Sequence, residues 1–253
     1  MERTFEDLVD EAAAASVDGW DFSWLDGRAT EARPSWGYQR LMSGRLRAAA
    51  AALDIQTGGG EVLAEAESFP PTMVATESWP PNIAKATALL HPRGVVVVGT
   101  PDESALPFAD NAFDLVTCRH PATVRWDEIA RVLQPGGTYL AQHVGPASVF
   151  ELVEYFLGPQ PEARRKRHPD DEAADARAAG LTIAALHTER LRMEFRDVGA
   201  VIYFLRKVVW MVPGFTVDAY RDRLHQLHEQ IQQDGPFIAH SARTLVHATT
   251  DTA

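Results

Sequence analysis

Three glycines directly after a short apolar run are the first residues in this chain that could do chemistry: Asp54-Ile55-Gln56-Thr57-Gly58-Gly59-Gly60. Glycines between a strand and a helix let a ligand approach the backbone closely. Glu77 follows Asp54 by 23 residues, near the offset of roughly 20 at which an acid can hold a ribose diol. Asp102 follows a third apolar run, where a carboxylate could accept from an exocyclic amine. His120 and His143 close two further runs. Imidazole titrates near neutrality, which suits both to proton transfer.

The glycines do not spell a dinucleotide site. The Gly-x-Gly-x-x-Gly spacing fails at Gln56 and Glu61 in one frame and at Leu63 in the other. Glu61 would also repel a pyrophosphate at that turn. A ligand with a cationic centre and a ribose, but no phosphate, suits these acids better.

The elements that must position these residues alternate. Residues 49–55 read as a buried strand entering the glycine turn, with a short helical stretch at 62–68. Strands follow at 72–76, 95–98, 113–118 and 138–144, with helices at 82–90 and 126–133. Val95-Val96-Val97-Val98 is wholly apolar, as expected of a strand covered on both faces. This alternation predicts a parallel α/β sheet. Helices are expected before it at 2–17 and 36–48. After it come helices at 147–157 and 170–179, then an extended region at 181–197 containing a strand. An apolar helix at 198–210 follows, then one capped by Thr216 with Val217, Tyr220, Leu224, Leu227 and Ile231 on one stripe. A closing strand is expected at 243–249. Aromatic segments at 20–24, 36–38 and 203–215 suggest a lid over a pocket.

Taken in order, five motifs make the chain resemble class I S-adenosylmethionine (SAM)-dependent methyltransferases over residues 45–145. They are Leu53-Asp54-Ile55-Gln56-Thr57-Gly58-Gly59-Gly60, Thr76-Glu77, and Asp102 ahead of Leu106-Pro107-Phe108. Phe113-Asp114-Leu115-Val116 and Arg131-Val132-Leu133-Gln134-Pro135-Gly136-Gly137 complete the series. The resemblance implies a doubly wound α/β fold: a mostly parallel seven-stranded sheet, its last strand antiparallel, with helices on both faces. To this it adds a helical N-terminal leader and a helical insertion before the last strand. One methyltransferase domain is expected over 1–253, with 1–44 as leader or lid, 45–145 as cofactor-binding core and 146–253 as C-terminal part.

The same resemblance implies SAM as cofactor and S-adenosylhomocysteine (SAH) as product. Gly58 and Gly60 would let the backbone approach it, Glu77 would hold the ribose and Asp102 the adenine. Asp54 would lie near its positive end, and Gln56 and Arg119 complete the implied cofactor set. Gln56 departs from the family, which usually has glycine there; its side chain would crowd the methionine tail or hydrogen-bond its carboxylate. Methyl transfer is largely positioning, plus a base when the acceptor is a hydroxyl. His120 and His143, at strand ends beside the expected methyl group, are the candidate bases.

The expected function is methyl transfer to oxygen or nitrogen of a small-molecule acceptor. An RNA or protein methyltransferase, or a SAM-binding protein without transfer, are the competing readings. A net charge of −11 lacks the basic footprint of nucleic-acid binding. The one basic run, Arg164-Arg165-Lys166-Arg167, is followed by Asp170-Asp171-Glu172. No apolar run approaches the ~20 residues of a membrane span, and the N-terminus reads as no signal peptide. Cys118 is the single cysteine, so intrachain disulfides and cysteine-rich metal sites are excluded. The expectation is therefore a cytoplasmic protein with no metal and no membrane partner, and with a homodimer as an open state.

Overall fold

The computed structural model describes residues 3–252; residue 2 of the expected leader helix lies outside the described residues. In chain order the elements are α1 (Phe5–Ala14), β1 (Ala29–Glu31), α2 (Tyr38–Ala48), β2 (Ala51–Ile55), α3 (Glu61–Ala64), β3 (Thr72–Glu77), α4 (Pro80–Leu90) and β4 (Val96–Gly99). Then come β5 (Phe113–Arg119), α5 (Trp126–Val132), β6 (Leu133–Val144), α6 (Phe150–Leu157), α7 (Pro169–Ala178), β7 (Leu181–Phe195), α8 (Val198–Lys207), α9 (Arg221–Asp234) and β8 (Phe237–Thr250). They cluster into two compact units. The larger holds Pro34–Pro146, Arg167–Glu189 and Arg243–Ala253; the smaller holds Met1–Arg33, Ala147–Lys166 and Arg190–Ala242.

In the larger unit the strand order is β7 (residues 181–189), β8 (residues 243–250), then β6-β5-β2-β3-β4; these are the seven strands expected, and β1 adds an eighth. β2 through β6 pair in parallel, and β8 runs antiparallel to β6. Apolar side chains leave the two sheet faces alternately. Ala52, Met73 and Leu140 pack on one side with Leu46 of α2 and Leu90 of α4. Leu53, Val116 and Tyr139 pack on the other with Trp126 and Ile129 of α5. β4 corrects one expectation: it is the edge strand, and Val96 is 56% exposed. An all-valine run says strand, but not how many neighbours cover it. Pro80 and Pro81 open α4 rather than preceding it, because the first turn needs no N–H there.

The smaller unit has its own core, with Leu8 of α1, Val201 and Leu205 of α8, and Leu224 and Leu227 of α9. Its aromatics pack within it: Trp24 stacks on Tyr203 at 4.7 Å between ring centroids. β1 was not legible, being three residues that pair with Met193–Phe195 of β7. Thr216 caps no helix. Its hydroxyl accepts from the Ala219 N–H in a turn, and α9 starts at Arg221, leaving Val217 and Tyr220 ahead of the helix. Among the described residues no helix is long and apolar enough to cross a membrane.

Candidate active site

The glycine turn after β2 is tight for two reasons. Gln56, Gly58 and Gly60 all have positive φ, 55°, 66° and 84°, a region glycine enters without strain. At Gly60 a β-carbon would also come within 2.8 Å of the Leu90 side chain and 3.3 Å of the Ala86 backbone on α4. Gly60 thus makes room for a helix at the same turn.

Glu77, at the tip of β3 and 7% exposed, anchors the turn. The Gly58 N–H donates to its Oε2 at 2.7 Å, and the Ser78 and Trp79 N–H groups donate to Oε1 at 2.9 and 3.0 Å. A carboxylate has about four acceptor positions, so roughly one is left, on Oε2. Asn82, Ala86 and Leu90 share one face of α4 at four-residue spacing, the face that meets the glycine turn. Asn82 Oδ1 is buried and has no partner among the described residues. Buried acceptors are normally satisfied, so Glu77 and Asn82 leave capacity for the hydroxyls of a ligand.

Asp54 is buried one strand away, accepting from the Thr117 hydroxyl at 2.6 Å. Burial pushes its carboxyl up to about 6, against the downward pull of that hydrogen bond. A cation brought close would favour its ionised form and pull that value back down. Asp102, half-buried on the loop after β4, lines with Gln56, Thr76 and Thr100 a crevice of about 440 Å³, part of it open to solvent.

The Gln56 side chain turns to the loop after β5. Its Nε2 donates to the Thr123 carbonyl and its Oε1 accepts from the Ala122 N–H, both at 2.7 Å. Arg167 grips the same loop, donating to the Pro121 and Ala122 carbonyls at 3.1 Å. Two side chains far apart in sequence therefore hold residues 121–123 in place.

The two histidines, each a candidate base, sit in different surroundings. His143 is fully buried; the Tyr139 hydroxyl lies 2.9 Å from its Nε2 and Glu172 Oε2 lies 3.0 Å from its Nδ1. The carboxylate fixes the ring proton on Nδ1, and the phenol donates to Nε2. Enclosed in this way, His143 has no edge from which to take a proton directly from an acceptor. His120 follows β5 with φ 58°, its Nε2 3.1 Å from Gln142 Nε2. Burial, then the nearby charges of Arg119 and Arg243, hold its pKa well below the ordinary imidazole value. Arg119 is exposed at the end of β5, opposite Gln142 of β6.

Residues 53–141 match the family model described as a methyltransferase domain. A curated relative, the ubiquinone/menaquinone biosynthesis C-methyltransferase of Desulfotalea psychrophila, is 27% identical over 165 residues, 61% of this chain and 67% of that protein. These likenesses support a class I SAM-dependent methyltransferase, with a methyltransferase domain over residues 53–141. Two solved structures agree in fold. The YcgJ protein of Bacillus subtilis is 20% identical with a TM-score of 0.62, covering 85% of this chain and 99% of that one. The [4+2]-cyclase SpnF is 17% identical with a TM-score of 0.54, covering 98% and 93%. One fold hosts different reactions, so the reaction must be argued from the site of this methyltransferase. Four of its polar residues escaped the sequence: Thr117 on Asp54, Gln142 on His120, Arg167 on the 121–123 loop and Glu172 on His143. None lies within ten residues of its partner except through the fold, so no local motif announced them.

Proposed function

We propose that this methyltransferase transfers the methyl group of SAM to a small-molecule acceptor at the crevice of the larger unit. The observation that carries the reading is the pair of buried acids on neighbouring strand ends, Asp54 and Glu77, both with capacity to spare. SAM supplies an activated methyl group on a sulfonium. On this reading Glu77 and Asn82 receive ribose hydroxyls, Asp102 the adenine amine and Asp54 the positive end. Gly58 keeps the turn close to the ligand, and Arg119 offers a cation to the carboxylate of the methionine tail. The name of the Desulfotalea relative adds carbon to oxygen and nitrogen as a candidate methylated atom. A nucleic-acid acceptor is disfavoured, since two of the four residues of the basic run are engaged elsewhere: Arg164 pairs with Glu154 at 2.6 Å and Arg167 with backbone carbonyls. The single buried cysteine suits one domain working in the cytoplasm. The test incubates the protein with SAM and a panel of phenols, carboxylic acids and amines, with bulk RNA alongside. SAH should accumulate only with a small-molecule acceptor. SAM that binds but never turns over across the panel would leave a SAM-binding protein without transfer.

Two outcomes follow from the cofactor assignment. Asp54 must be ionised to meet a cation, and its carboxyl titrates at about 6. SAM affinity should be flat above that pH and fall about tenfold per unit below it, because binding must then expel a proton. Calorimetry across the range reads this, and Asp54→Asn should flatten the profile; a parent profile already flat removes Asp54 from the site. Gln56→Gly should keep or improve SAM affinity, since glycine takes φ 55° without strain. Binding that collapses in this variant would show that the amide, or the loop it holds, is required.

A further inference from the structure

We infer that the acceptor carries an anionic oxygen, a carboxylate or an ionised phenol or enol, which the Nδ1–H of His120 receives; this rests on the methyltransferase reading above. The case is a chain of proton positions. Trp36 Nε1 can only donate, and it lies 2.8 Å from Gln142 Oε1. The amide is thereby oriented, so that Gln142 Nε2 donates to His120 Nε2 at 3.1 Å. A neutral ring whose Nε2 accepts carries its proton on Nδ1. Among the described residues Nδ1 has no partner, and His120 is only half-buried, so this N–H is left for a ligand. A histidine locked in this tautomer is a hydrogen-bond donor, and its lone pair is already spent.

Its place and its surroundings agree. Cys118 of β5 pairs with Ile55 of β2, so His120 stands just beyond the strand end beside the glycine turn. Its backbone N–H donates to the Gln142 carbonyl at 2.7 Å, which fixes the ring's base in the left-handed conformation. Arg119 is its chain neighbour, Arg167 holds the next two carbonyls, and Arg243 lies opposite Val144 of β6. In a chain of net charge −11, these cations oppose a proton on the ring and favour an anion next to it. Such an acceptor needs no general base, which accounts for the absence of a free imidazole lone pair at either histidine. When the anionic group is itself the nucleophile, its lone pair forms the bond to the methyl carbon. The carbon–sulfur pair leaves with sulfur, and the two charges cancel with no proton moved.

The test uses the full chain labelled with ¹⁵N. Ring nitrogen shifts of His120 at neutral pH should report Nδ1–H with Nε2 unprotonated; the opposite tautomer, or an imidazolium, overturns the proposal. Benzoate, 4-nitrophenolate at alkaline pH and neutral benzamide are then titrated with and without SAH. At least one anion should shift Nδ1 saturably and more weakly at high salt, with benzamide about tenfold weaker or worse. A response to benzoate alone assigns a carboxylate, and to 4-nitrophenolate alone an ionised phenol or enol. His120→Asn, which carries an N–H and tolerates the left-handed backbone, should hold affinity within about threefold, whereas His120→Ala should lose about tenfold. Equal binding of benzamide, or equal affinity in all three proteins, overturns the assignment. Anions that titrate His120 in a protein that fails to bind SAH would sink the methyltransferase reading and leave the anion site standing. SAH binding without an anion response would do the reverse.

Discussion

Replacing Glu77 with alanine is expected to lower both cofactor affinity and folding stability. The carboxylate accepts three backbone N–H groups in a buried setting. Removing it orphans donors whose desolvation was compensated only by that charge, and about 3 kcal/mol of stability should go with it. It also removes the position left for a ribose hydroxyl and frees the glycine turn, so SAH affinity should fall by about 2 kcal/mol, roughly 30-fold. Urea unfolding and calorimetric titration separate the two effects. Glu77→Gln should be intermediate, since an amide keeps an acceptor for two of the N–H groups but turns a donor towards Gly58. An alanine variant that is destabilised but binds SAH as tightly as the parent would make Glu77 a support for the turn and no ligand.

His143→Ala is expected to act mainly on stability. The substitution leaves the Tyr139 hydroxyl and the Glu172 carboxylate without the ring between them, in a pocket where His143 has no exposure. Cavity formation and a half-buried carboxylate without its partner together should cost about 3–4 kcal/mol. For a chain of this size that lowers Tm by about 10 °C. SAH affinity of the folded protein should change less than about threefold, because the ring touches none of the residues proposed to hold the cofactor. A variant of parental stability that loses turnover by about 100-fold would instead restore the role expected of a histidine at a strand end.

The contrast between the two histidines shows what a sequence carries and what it does not. Strand alternation and the glycine turn are local signals, so the parallel core around Asp54, Glu77 and Asp102 was legible before any coordinates. The direction of a side chain at a strand end depends on parity and on what packs against that face. His143 points, with Tyr139, towards α5 and α7, whereas Gln142 points to the side of Trp36. One residue of register separates a buried relay from a site wall. The Gln56 position was legible as a departure from glycine, but its partners Ala122 and Thr123 lie 66 and 67 residues away. Long-range polar pairs leave no periodic trace, and Glu172, in a helix that reads as a solvated acidic stretch, is the plainest case. The edge position of β4 was hidden for the same reason, since strand order is a property of the whole sheet.

The central claim is that this chain holds SAM at the glycine turn after β2, beside the end of β3, with its methyl group facing the end of β5. The most direct measurement is a crystal structure of the protein with SAH bound. The account predicts a ribose hydroxyl on Glu77 Oε2, the adenine amine at Asp102, and the sulfur opening towards the backbone around His120. SAH bound away from Glu77, or its absence from the crevice in crystals grown at saturating concentration, would contradict it.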